Sequence, residues 1–201
     1  MDRRLKRWEL ALMLGVLCAL TAGVWLGGER EALADSVIRL HVIANSDSAS
    51  DQAMKLRARD AVLSRAEDIL RQAADRPDAQ ARLRTALPEL EQAAFDACGG
   101  SYPVRAELTM TEFPLKEYDG FALPAGEYLA LRVIIGEGAG RNWWCVVYPP
   151  LCTAACTDLE DVAVQAGMDE SDMKLITGQE GYVLKFRAVE LWERLRQWLG
   201  K

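Results

Sequence analysis

The sequence predicts an α+β domain: a largely antiparallel sheet of about four to five strands with helices packed on one face, preceded by an N-terminal hydrophobic export helix. Three observations predict it. Apolar and polar residues alternate with a period of two in Ser36–Ala44 and again in Tyr102–Thr111, as in strands buried on one side. Between those stretches the apolar residues return at three- and four-residue spacing, the period of an amphipathic helix. Two further strand-like runs, Gly126–Gly136 and Asn142–Tyr148, follow each other with no helix between them, which favours antiparallel neighbours over strand–helix–strand units.

The first element is set by charge. Arg3, Arg4, Lys6 and Arg7 precede an uncharged run from Leu10 to Leu26, after which Gly27, Gly28 and then charged residues follow. That order is an export signal, with the basic flank kept inside. As a helix the run rises only about 25 Å, short of a hydrocarbon core of roughly 30 Å, so a cleaved signal peptide and a membrane anchor both remain open. Ala32, Leu33 and Ala34 supply an A-x-A site that would release a chain beginning at Asp35. Residues 1–34 are thus read as signal peptide or anchor, and 35–201 as an exported domain tied to the membrane at least transiently through that helix.

Within the domain, Ile38, Leu40 and Val42 alternate with Arg39 and His41 in the first strand. Asn45-Ser46-Asp47 is turn chemistry, and Ser48 followed three residues later by Asp51 fits a capping box. The helix it opens places Leu56, Val62, Leu63, Ala66, Ile69, Leu70 and Ala73 on one side and Lys55, Arg57, Arg59, Arg65 and Glu67 on the other; Pro77 is expected to close it. Asp78–Cys98 reads as two shorter helices or one kinked at Pro88, stopped by Gly99-Gly100. Phe113–Ala125 reads as a loop, punctuated by Pro114, Gly120 and Pro124. Gly136–Gly140, "GEGAG", is read as the connector of a hairpin that returns through Asn142–Tyr148. A polar helix around Leu159–Ala166, a strand at Tyr182–Arg187 and a closing helix from Ala188 to Leu199 complete the order.

The candidate chemistry is sparse. A net charge of -6 over 201 residues argues against a nucleic-acid partner. With one histidine in the chain, any Ser-His-Asp or Cys-His device must use His41. Cys145, Cys152 and Cys156 with His41 or Cys98 lack the paired C-x-x-C spacing of a zinc knuckle, so no metal is expected. GEGAG lacks the lysine of a phosphate loop and leads to a strand, so no nucleotide cofactor is expected either. In an exported chain the four cysteines beyond Cys18 allow three disulfide pairings; a turn at Pro149-Pro150 would bring Cys145 and Cys152 close. Trp143 and Trp144, consecutive on a strand, must point to opposite faces, one into the core and one toward a partner.

Two long stretches, "IRLHVIANSDSASDQAMKLRARDAVL" (38–63) and "LPAGEYLALRVIIGEGAGRNWWCVVYPPLC" (123–152), resemble the stage II sporulation protein R family. The family pattern falls on Ile38, Arg39, His41, Val42, Ala44, Asn45, Asp47, Asp51 and Gln52, then on Pro124, Gly126, Tyr128, Gly136, Gly140, Asn142 to Cys145, and Pro149 to Cys152. The resemblance implies a signalling protein with no catalytic residues of its own. Such a protein is exported across the forespore membrane into the intermembrane space, secreted or N-terminally anchored. There it activates a membrane-embedded aspartic protease, the stage II sporulation protein GA, to process pro-sigma-E in the mother cell. It also favours Cys145 with Cys152 as the disulfide, and it leaves Asn45, Asp47, Asn142, Trp143 and Trp144 as the candidate partner contacts. The rival reading is an exported cell-wall or peptide hydrolase using His41 with Cys145 or Cys152; a third is a structural envelope protein.

Overall fold

A computed structural model describes residues 7–118 and 121–151. The elements expected at 159–166, 182–187 and 188–199 lie outside the described residues. In chain order the elements are α1 (Arg7–Ser36), β1 (Ile38–Ile43), α2 (Ala49–Leu70), α3 (Arg76–Ala97), β2 (Val104–Phe113), β3 (Lys116–Tyr118), β4 (Phe121–Leu123), β5 (Gly126–Ile135) and β6 (Asn142–Tyr148). The α+β class holds: a four-stranded, mostly antiparallel sheet carries helices α2 and α3 on one face.

α1 is one continuous helix that runs through the A-x-A site into the domain, where Leu33 and Val37 are fully buried. Among the described residues no helix is long and apolar enough to cross a membrane.

The sheet order is β2-β5-β1-β6, which corrects the expected hairpin. β5 and β6 do not pair with each other, because β1 lies between them, parallel to β5 and antiparallel to β6. The reason is in β1 itself. All six of its residues are buried, including Arg39 and His41, so a strand that reads as half-buried by alternation takes a central place covered on both faces. GEGAG accordingly crosses the end of β1 instead of making a two-strand turn: Ala139 N–H donates to the Asn45 carbonyl at 3.1 Å and Gly140 N–H to the Ala44 carbonyl at 2.9 Å.

Two helical expectations also change, and that for Asp78–Cys98 is narrowed to its single-helix form. α2 ends at Leu70, and Pro77 opens α3 instead of closing α2; the Asp75 side chain accepts from Asp78 N–H at 2.8 Å, and a proline in a first turn forfeits no hydrogen bond. α3 continues through Pro88 as a single helix, since Leu83, Leu90 and Ala94 hold one buried stripe on both sides of the proline. The buried stripe of α2 is Asp51, Lys55, Ala58, Val62, Ala66 and Leu70, whereas Leu56 is 40 % exposed. The loop expected at 113–125 contains a separate two-stranded sheet of β3 and β4.

Two apolar clusters sandwich the sheet. α2 and α3 bury Leu40, Val42, Leu129, Leu131, Val133 and Cys145 on the first face. On the second, Leu33, Val37, Phe113, Phe121, Leu123, Tyr128 and Val146 gather under β3, β4 and the end of α1.

Candidate functional site

Four of the five predicted contact residues meet at one corner of the sheet, where β1 ends, α2 begins and the connector delivers β6. The turn after β1 builds it. Ser48 caps α2 by accepting from Asp51 N–H at 3.2 Å, which is half of the predicted capping box. The other half is absent, because the Asp51 carboxylate turns inward and one oxygen accepts from Ser46 Oγ at 2.6 Å and Asn45 Nδ2 at 2.8 Å. Asn45 Oδ1 in turn accepts from Glu137 N–H at 3.0 Å, and Asp47 Oδ1 from Arg141 N–H at 2.7 Å. Side chains of the turn thereby hold the backbone N–H groups at both ends of the connector.

Glycine is required where the two segments touch. A Cβ on Gly136, whose φ is +56°, would meet Asn45 Oδ1 at 2.2 Å, and one on Gly140 would meet the Ser46 carbonyl oxygen at 2.3 Å. Beneath them lies Lys55, assigned by the sequence reading to the solvent face but in fact buried. Its Nζ donates to Gln52 Oε1 at 2.7 Å and to the Arg141 carbonyl at 2.9 Å, tying α2 to the residue that enters β6. Burial, with the cations Arg141 and Arg59 nearby, holds its pKa below the ordinary lysine value against the pull of Asp47. The signal for this lysine was positional: it falls four residues after Asp51 and three before Ala58, on the buried stripe.

Hydrogen bonds from Ser46 and Asn45 lower the Asp51 pKa below its ordinary 3.8, outweighing the opposing effect of burial. A carboxylate whose folded pKa is depressed stabilises the fold above its unfolded pKa and loses that contribution as pH falls through the folded value. The melting-temperature advantage of wild type over Asp51→Asn is therefore expected to be full near neutrality and to shrink as pH falls below about 4. A gap independent of pH in thermal melts would remove this assignment.

The tryptophans take opposite faces as strand geometry requires, but neither is fully buried and neither stands free. Trp143 packs with the first cluster beneath Arg59, whose guanidinium carbon is 4.8 Å from the ring centroid. Trp144 packs with the second, beside His41 and under Lys116 Nζ at 5.6 Å. Asn142 is exposed at the start of β6. The corner thus presents Asp47, Arg141, Asn142 and the Trp143 edge, while Trp144 belongs to the other side of the sheet.

The Cys145–His41 dyad of the hydrolase reading does not form. Cys145 is opposite Leu40 on the helix-covered face, and His41 is opposite Trp144 on the other. Cys145 is disulfide-bonded while Cys98 is free and buried; Cys152 and Cys156 lie outside the described residues. Burial pushes the His41 pKa below its ordinary value, opposed by the Asn142 side chain and aided by Arg132 and Arg39. No group of His, Cys, Asp and Glu placed to hold a metal ion occurs among the described residues.

Comparison with known proteins places these features in a wider set. A family model described as stage II sporulation protein R matches residues 34–158, which take in the whole corner. Stage II sporulation protein R of Bacillus subtilis (strain 168) is 35% identical over 140 residues, covering 68% of this chain and 62% of that protein. The chain thus spans somewhat less than two thirds of the length of this curated relative. No solved structure matches.

Proposed function

The chain belongs to the stage II sporulation protein R family, and from that premise we propose that it is an exported sporulation signal that activates a membrane-embedded aspartic protease, the stage II sporulation protein GA, to process pro-sigma-E. The observation that carries the reading is the similarity across residues 34–158, which includes β1, the corner and β6. The geometry supports a recognition role for that corner. Asn45 spends its polar groups on Asp51 and the connector, and Lys55 on Gln52 and the Arg141 carbonyl, so they fix a shape; Asp47, Arg141 and Asn142 are left at its surface. Rigid, pre-organised surfaces lose little entropy on binding, which suits a ligand that must bias a receptor.

In this reading α1 carries the domain across the forespore membrane, and the domain works in the intermembrane space as a secreted or anchored ligand. The test is reconstitution. Membranes bearing the protease and its precursor substrate are expected to show cleavage only when the purified protein is added, and Asp47→Ala or Trp143→Ala protein that remains folded is expected to lose most of that effect. Cleavage without addition, or none with folded wild-type protein, would overturn the proposal.

A further inference from the structure

Among the described residues, the second face of the sheet buries a cation with no anion paired to it. Arg39, the second residue of β1, is 0% exposed. Its guanidinium carbon lies 3.9 Å from the Phe113 ring centroid and 4.8 Å from that of Tyr128, and Nη2 donates to the Tyr118 hydroxyl at 2.9 Å. These contacts use the faces of the guanidinium and one of its nitrogens. Nε and Nη1 are buried and make no hydrogen bond.

Two residues on, His41 is 8% exposed, with ring centroids of Phe113 and Trp144 both at 5.9 Å; the Asn142 side chain is its polar neighbour, but neither ring nitrogen reaches hydrogen-bonding geometry with a partner. Phe113 is shared by the two, so they belong to one aromatic cluster. An arginine cannot shed its proton to escape burial. Aromatic stacking compensates the charge only across the ring faces, leaving the in-plane donors without acceptors.

We propose that Arg39 and His41 form the floor of a binding site for a single carboxylate, walled by Phe113, Tyr128 and Trp144 and bounded by Tyr118. One fixed positive charge matches a monoanion; a phosphate dianion would bring a second negative charge that a histidine kept neutral by burial does not balance. The planar oxygens of a carboxylate suit guanidinium donors, and the aromatic walls accept the short apolar stem of an organic acid or of a peptide. Trp144 is only half-buried and has Lys116 over its ring, so a second cation stands beside the cluster where it meets solvent and attracts anions toward it.

The test uses the full chain in detergent micelles, titrated with sodium acetate and, at equal ionic strength, with sodium chloride. Acetate alone is expected to raise the melting temperature saturably and to change tryptophan fluorescence, through Trp144. Arg39→Gln is expected to weaken acetate binding by about tenfold or more, as for loss of a charged hydrogen bond. Should Arg39→Gln fail to fold, His41→Phe keeps the ring, discards both nitrogens and is expected to weaken binding in the same direction. N-acetylglycine and N-acetylglutamate α-amide separate the sources: tighter binding of either assigns the site to a chain terminus or an acidic side chain, and parity with acetate assigns it to a small free acid. Equal responses to acetate and chloride in wild type, or undiminished acetate binding in the folded variant, would overturn the site.

Discussion

Gly140→Ala is expected to destabilise the domain by about 3 kcal/mol, at the upper end for overpacking, because the atoms in the way belong to the backbone. The new Cβ would lie 2.3 Å from the Ser46 carbonyl oxygen and 2.6 Å from its carbon, and a further 2.9 Å contact to the Ala44 Cβ closes the remaining direction. No rotamer change relieves this. The connector must lift from the turn, which breaks the Gly140 and Ala139 hydrogen bonds to Ala44 and Asn45, each worth about 1 kcal/mol. Against a total of about 5–15 kcal/mol such a loss is large. A urea-denaturation midpoint unchanged from wild type would show that the connector can move freely from the corner. Gly136→Ala is expected to destabilise the corner as well, since the residue sits at a left-handed φ of +56° and moving Asn45 out of the way of the new Cβ would break its hydrogen bonds to Asp51 and Glu137.

Leu131→Ala is expected to destabilise by about 2–5 kcal/mol through a different route. Leu131 is 0% exposed in β5, paired with Leu40 on one side and Leu108 on the other beneath α2 and α3, so truncation leaves a void lined by residues that cannot all collapse. Its value lies in the comparison. Both variants lose stability, but Leu131→Ala leaves every hydrogen bond between turn and connector intact. Assayed where each is still folded, Leu131→Ala protein should support precursor cleavage at the wild-type level per folded molecule and Gly140→Ala should not. Equal activity in both would detach signalling from the shape of the corner.

Local chemistry was legible in the sequence, and partnership between distant segments was not. The Ser48 cap, the strand at 104–113 and the opposite-facing tryptophans each depend on one backbone period or one side chain and its near neighbours, so pattern alone places them. Asn45, Asp47, Asn142 and Trp143 were picked out by resemblance, and the structure brings them together while showing that Asn45 works internally. Lys55 and Arg39 were misplaced because charge is a good guide to exposure only when no acceptor or aromatic surface is delivered from elsewhere in the chain. The central place of β1 was missed for the same reason: alternation reports on one strand's faces, and says nothing about which strand lies alongside.

That central place has a consequence for how the chain reaches its native state. β1 leaves the ribosome early, yet Arg39 waits for Ala130 and Ile38 for Tyr148 before either edge of the strand is satisfied. Contacts of such high sequence separation close late and fold slowly. α2 and α3 can pair locally in the meantime, but they have no sheet to cover. Folding of the sheet is thus held back until nearly all of the sheet-forming chain has emerged, and a chain cut short before Tyr148 would leave β1 without one of its two partners.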